Sequence, residues 1–173
     1  MGSLDIFAKD LIITIIKSKM PELKILNSKE IKEIYKLIEN QWGAKIKIDY
    51  GFLRNNKNRF FIINKEISKI DFSKLRLNSV GMYFCEIDDK GIRLSIEGSQ
   101  LVGSKATINF VELDEEETRK WFKGEDLEKE CVNCKGFVIL KYKNDFLGTG
   151  KYTKGRILNY VSKTRRINLN QSP

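Results

Sequence analysis

Apolar residues along this chain first recur at helical spacing and then at strand spacing. Asp10 to Lys19 reads as a short amphipathic helix that ends before Pro21. Asn27 followed three residues later by Glu30 forms a capping-box signature, in which each side chain satisfies a backbone N–H that a helix start leaves open. Behind it Ile31, Ile34, Tyr35, Ile38 and Trp42 fall on one helical face, and Gly43 supplies the stop. The period then shortens to two. Ile46, Ile48 and Tyr50 alternate with Lys45, Lys47 and Asp49, which predicts a half-buried strand. Arg54–Asn58 reads as a turn into a strand over Arg59–Asn64. Gly81–Ile87 is an apolar run, Asp88 to Gly91 a hairpin turn, and Ile92, Leu94 and Ile96 alternate on the return strand. One α/β unit accounts for residues 1 to about 102.

Gly103-Ser104-Lys105 is the expected joint. Beyond it a strand is predicted over Ala106–Leu113, and Asp114 caps a short helix. Glu115, Glu116 and Glu117 crowd the first turn of that helix, where its dipole favours carboxylates, so they read as a helix start and not as a metal or catalytic cluster. From Gly136 onward short β-runs are broken by Gly148, Gly150 and Gly155. Phe137, Ile139 and Lys141 alternate with Val138, Leu140 and Tyr142, leaving both faces partly apolar, as in a barrel wall. The expected fold class is α+β, with one domain over residues 1–103 and a second over 104–173.

Charge changes the picture from folding to function. The chain carries a formal +9, and residues 141–173 hold eight basic residues against one acid, Asp145. Most of the excess therefore sits in one segment, which points to a polyanionic partner. Tyr142, Tyr152, Asn159 and Tyr160 are interleaved with those cations, a mixture suited to unpaired bases and phosphates. The opposing reading is that the tyrosines are core and the lysines are merely solvated.

Familiar catalytic chemistry is missing. There is no histidine, which removes Ser-His and Cys-His nucleophile systems. Gly148-Thr149-Gly150-Lys151 is followed by Tyr152 where a phosphate loop requires Ser or Thr, and Asp145 stands where its first Gly belongs. Those glycines read instead as a tight strand crossing. Cys131 and Cys134 form a CxxC with only Cys85 besides, too few ligands for a structural zinc within one chain. They read as two ordinary cysteines in a loop, and an odd cysteine count fits a reducing cytoplasm. The apolar run Leu11–Ile16 is too short to span a bilayer.

With these residues in hand the chain resembles a known family. Asn78 to Ile87 and Gly91 to Leu101 are similar to the signature of the Nip-seven ribosome-biogenesis factors. Glu116–Leu127, ending Trp-Phe-Lys-Gly-Glu-Asp-Leu, resembles the helix and turn that open a PUA domain, named for pseudouridine synthases and archaeosine transglycosylases. Phe146-Leu-Gly-Thr-Gly stands for that domain's glycine strand, and Cys85 replaces a usual Gly. The tail from Gly155 to Ile167 looks closer to the domain attached to rRNA and tRNA cytosine-5 methyltransferases. The resemblance implies an N-terminal α/β pre-PUA domain followed by a C-terminal PUA β pseudo-barrel, non-catalytic and without cofactor or metal. It implies RNA binding in ribosome biogenesis, with rRNA or pre-rRNA as partner, alongside pre-ribosomal proteins or an RNA-modifying enzyme. The cysteine count and the short apolar run add the expectation of a cytoplasmic protein with no membrane partner. The expected RNA-binding residues are Lys123 and Gly124 at the helix end, then Lys151, Lys154, Arg156, Tyr160, Lys163, Arg165 and Arg166, six of these cations lining one groove. Three other readings stay open: an RNA-targeting subunit for a cytosine-5 methyltransferase, a cysteine-based zinc or redox protein, and a protein-interaction adaptor.

Overall fold

The computed structural model describes residues 23–66 and 81–167, so the helix expected over Asp10–Lys19 lies outside the described residues. Among the described residues two five-stranded sheets, three α-helices and a short 3-10 turn build an α+β fold, the class expected. The first sheet is an antiparallel meander, β1 (Lys24–Ile25), β2 (Gly51–Arg54), β3 (Arg59–Ile63), β4 (Met82–Asp88) and β5 (Gly91–Leu94). Helix α1 (Ser28–Trp42) packs on it and α2 (Ile96–Gly103) follows it. The second sheet runs in the order β6 (Phe110–Glu112), β8 (Gly136–Tyr142), β9 (Asp145–Thr153), β10 (Arg156–Leu158) and β7 (Leu127–Glu128). Only the β6–β8 pair in it is parallel. Helix α3 (Glu115–Lys123) bridges β6 and β7 along the chain.

Both capping boxes form. Asn27 Oδ1 accepts from Lys29 and Glu30 N–H at 2.9 and 3.0 Å, and the Asn27 N–H donates to Glu30 at 3.0 Å. Asp114 and Glu117 exchange the same bonds at the start of α3. The three crowded glutamates are a helix start whose charges are each answered: Glu115 by Arg119, Glu116 by Lys120 and Glu117 by Lys129. At the other end of α1, Gly43 takes a left-handed φ of 65°, as the stop requires.

Three expected strands are corrected. Residues 45–49 do not join a sheet ladder, although Ile46 and Ile48 pack against the first core. The Tyr35 hydroxyl donates to the Ile48 carbonyl at 3.2 Å and accepts from its N–H at 3.0 Å, so one side chain stands in for a neighbouring strand. The strand expected over Ala106–Leu113 shrinks to Phe110–Glu112. Asn109, at a left-handed φ of 59°, exchanges hydrogen bonds with Lys135 and blocks an earlier start. The return strand ends at Leu94, because Ser95 turns its hydroxyl onto Gly98 N–H and caps α2, which places Ile96 on a helix.

Strand β8 explains why both its faces are apolar. Phe137 and Ile139 enter the core of the first half, with Trp42, Phe52 and Phe84, while Val138 and Leu140 enter a second core with Trp121 and Ile157. Polar atoms cross the same seam. The Phe137 carbonyl accepts from Trp42 Nε1 at 3.1 Å, Gln41 Nε2 at 3.2 Å and Asn109 Nδ2 at 3.0 Å. Two buried hydroxyls complete it: Ser99 Oγ accepts from Gly148 N–H at 2.8 Å, and Thr149 Oγ1 donates to the Leu94 carbonyl at 3.0 Å. Among the described residues no buried side-chain polar atom lacks a partner, as buried polar groups require.

Candidate nucleic-acid interface

The expected site residues fall into three settings. Lys123 and Gly124 close α3, and Gly124 at φ 89° donates its N–H to the Lys120 and Trp121 carbonyls. Arg166 folds over that turn, with its Nε on the Val161 carbonyl at 3.1 Å. A Cβ on Gly124 would fall 2.4 Å from the Arg166 guanidinium, which can swing aside, so it is the left-handed backbone angle that calls for glycine there. Lys163 lies beside them on a short 3-10 turn, Lys163–Arg165.

The β9–β10 hairpin carries the second set, Lys151, Lys154 and Arg156. Its two turn residues, Lys154 and Gly155, both have positive φ, 46° and 77°, a geometry that matches the twist of the flanking strands. Arg156 is held by Glu128 at 2.7 Å and reaches Asp126 at 3.8 Å. By contrast Lys123, Lys151, Lys154 and Lys163 have no carboxylate within ion-pair reach among the described residues.

Tyr160 and Arg165 form the third set, and of the expected residues they alone line a cleft of about 500 Å³ between the two sheets. The single groove expected for the six cations is thus not the arrangement of the lining. Sequence reasoning missed the contribution from the first half: Arg59, Tyr83 and Arg93 face the same cleft. Arg93 lies with its guanidinium 5.0 Å from the centre of the Tyr160 ring, and Phe137 meets that ring edge-on at 5.4 Å. Glu86 Oε2 accepts from Arg59 at 3.0 Å and from Arg93 at 2.9 Å, and Glu97 pairs with Arg165. Burial pushes the Tyr83 phenol up to about 12 against the pull of Arg93, so it stays protonated at neutral pH. The signal was legible in one respect. Arg93 sits between Ile92 and Leu94, both buried, so the pleat turns it to the opposite face of β5.

Asn159, grouped with the base-reading candidates, is consumed by structure. Its Nδ2 donates to the Trp121 and Glu125 carbonyls, and its Oδ1 accepts from Val161 N–H. The Tyr152 hydroxyl likewise donates to Glu130 at 3.1 Å. Gly150 is a packing requirement: a Cβ there would sit 2.4 Å from Ile157 Cγ2 and 3.0 Å from the Trp121 ring.

The cysteines differ from expectation. Cys131 and Cys134 are joined in a disulfide beside the second core, while Cys85 is a buried thiol whose burial pushes its pKa well up. Among the described residues no three Cys, Asp or Glu side chains gather as metal ligands. No helix among them is long and apolar enough to cross a membrane.

Residues 108–167 match the family model described as the Methyltransferase RsmF PUA domain. The match begins just before β6 and runs through the 3-10 turn, so the second sheet, α3 and the basic tail are the part of the chain that is similar to that PUA domain. Over 86 residues, half of this chain and 18% of the relative, it is 33% identical to "Ribosomal RNA small subunit methyltransferase F" of Vibrio cholerae serotype O1 (strain M66-2). The likeness to the protein of that name from Aeromonas salmonicida (strain A449) is 29% over 138 residues, 80% of this chain and 28% of the relative. With the Vibrio parahaemolyticus protein it is 26% over 146 residues, 82% and 30%. The chain therefore spans less than a third of the length of these curated relatives.

These names correct the expectation of a non-catalytic family. The relatives are named as methyltransferases, and the chain corresponds only to a PUA-like region of them. An inventory of side chains within that region, however complete, has no bearing on chemistry performed elsewhere in such enzymes.

Proposed function

We propose that this chain is the RNA-binding part of a ribosomal RNA methyltransferase system, capturing rRNA and presenting it to a cytosine-5 methyltransferase domain. The observation that carries this reading is the match of residues 108–167 to the RsmF PUA domain, a segment that ends in the basic stretch beginning at Lys141. The similarity to the Aeromonas enzyme extends over 80% of the chain, so it favours a methyltransferase context over a Nip-seven-type one for the first half as well. Phosphates would be taken by Lys123, Lys151, Lys154 and Lys163, the cations without carboxylate partners among the described residues, with Arg165, Arg166 and Gly124 shaping the surface. The setting is the cytoplasm, the partner small-subunit rRNA or its precursor, and the domain division lies near Gly103.

Binding of the full chain to labelled single-stranded rRNA fragments across a salt series tests this. Three to four phosphate contacts give a slope of log affinity against log salt of roughly −2 to −3. Binding that is absent, or indifferent to salt, sinks the reading. Grafting the chain in place of the matching region of the Aeromonas enzyme then tests the methyltransferase context: rRNA methylation should survive the graft and fall when the region is deleted.

A further inference from the structure

We infer that the cleft between the two sheets holds one unpaired nucleotide of the bound RNA, its base against the Arg93–Tyr160 pair and its phosphate among Arg59 and Arg165. The inference rests on the RNA-binding reading above and extends it to a surface that the family match does not reach, since Arg59, Tyr83 and Arg93 lie outside residues 108–167.

Size comes first. About 500 Å³ accommodates a ligand of small-molecule dimensions, such as a single nucleotide, but no duplex. Charge comes second. Arg59, Arg93 and Arg165 share two carboxylates, Glu86 and Glu97, so the cleft keeps a net positive charge. Each guanidinium has five N–H donors, and the pairing named above uses one donor of Arg59, one of Arg93 and one of Arg165. Donors therefore remain for an anionic oxygen. Shape comes third. Tyr160 is 38% exposed although Phe137 and Arg93 both hold its ring, so a flat aromatic surface is fixed in place yet open. A fixed ring beside a guanidinium plane is suited to a base, which stacks on either. Two hydroxyls of the wall are already committed: Ser95 Oγ donates to the Tyr83 carbonyl at 2.6 Å and Thr149 Oγ1 to that of Leu94. They do not compete for the ligand. The cleft thus reads an aromatic face with an attached anion, and little of the base edge.

The shared chemistry of a base bearing a phosphate could come from an RNA strand or from a free mononucleotide. The test compares binding of the full chain to a uridine 10-mer, to an abasic ribose-phosphate 10-mer of equal charge, and to uridine monophosphate. The wild-type chain should prefer the base-bearing strand about five- to tenfold. Tyr160→Ala and Arg93→Gln should each remove that preference while keeping the salt slope within a unit. Tyr160→Phe keeps the ring and should restore most of it, which excludes a mere loss of fold. Equal binding of both strands by the wild-type chain, with normal salt dependence, overturns the cleft and leaves the RNA-binding reading standing. Salt-independent or absent binding of both strands brings down that reading as well. Uridine monophosphate bound as tightly as the 10-mer assigns the cleft to a free nucleotide and likewise overturns the inference.

Discussion

The two buried tryptophans do different work. Each is completely covered and each donates its indole N–H to a main-chain carbonyl, Trp42 to Phe137 and Trp121 to Leu147. Trp121 reaches a strand of its own half. Trp42, from the first half, reaches β8 of the second, and Phe137 and Ile139 return the contact by packing into the core of the first half. The second sheet holds one core with its own helix and shares the other. The apolar surface does not divide at the joint expected at Gly103-Ser104-Lys105, because Phe137 and Ile139 lie beyond it and pack into the first core.

The largest expected effect breaks that asymmetry. Trp42→Ala should cost about 3–5 kcal/mol, as large buried aromatics do. Amides of β5 and β8 should lose hydrogen-exchange protection together, whereas Trp121→Ala should leave α1 protected. If Trp42→Ala loosens only the first half, the shared core is not the coupling element. A fragment of residues 104–173 should for the same reason bind apolar dyes, because Phe137, Ile139 and Phe146 would lose their cover.

Gly150→Ala addresses the other core. Its Cβ would collide with Ile157 and crowd the Trp121 ring, so overpacking of about 1–3 kcal/mol is expected. Loss of protection in β9 and β10 with α1 unchanged would sharpen the contrast, and a simultaneous loss in α1 would blur it.

Much of this was open to sequence reasoning, for identifiable reasons. Capping boxes, the Gly43 stop and the two-faced β8 are local patterns whose physics acts within a few residues. The failures share a different cause. Tyr35 capping both groups of Ile48, and Asn109 tying Lys135, are side-chain substitutes for a strand partner, and alternation cannot distinguish them from a ladder. The cleft was illegible because it draws on β3, β5 and the tail at once, and only the fold brings Arg59, Arg93 and Tyr160 together. Counting cations also hid their division, since Arg156 and Arg165 are paired with carboxylates from distant segments.

The disulfide bears on the second core only. Cys131 and Cys134 close a four-residue loop, so its loss removes at most about 2 kcal/mol by the loop-length argument. The double serine variant, or the reduced protein, should keep its fold and its RNA affinity. Collapse of the second core on reduction would instead make the bond a staple of that half, and would argue against a reducing compartment.

The smallest expected effect separates the cations that the fold already holds from those it leaves to solvent. Arg156 is neutralised by Glu128 and Asp126, so it has little charge left to exchange for a phosphate. Lys163 has no such partner among the described residues. If Lys163 meets a phosphate, Lys163→Gln should flatten the salt slope for single-stranded RNA by about 0.7 and weaken binding a few-fold, equally for all sequences. Arg156→Gln should leave the slope where it was. Whatever affinity it loses should come from the uncovered Glu128, whose carboxylate then repels the strand. The double variant Arg156→Gln, Glu128→Gln should accordingly bind as the wild-type chain does. Equal slopes for Lys163→Gln and Arg156→Gln would erase the division between structural arginines and phosphate-binding lysines, and with it the claim that ion pairing within the fold decides which cations meet RNA.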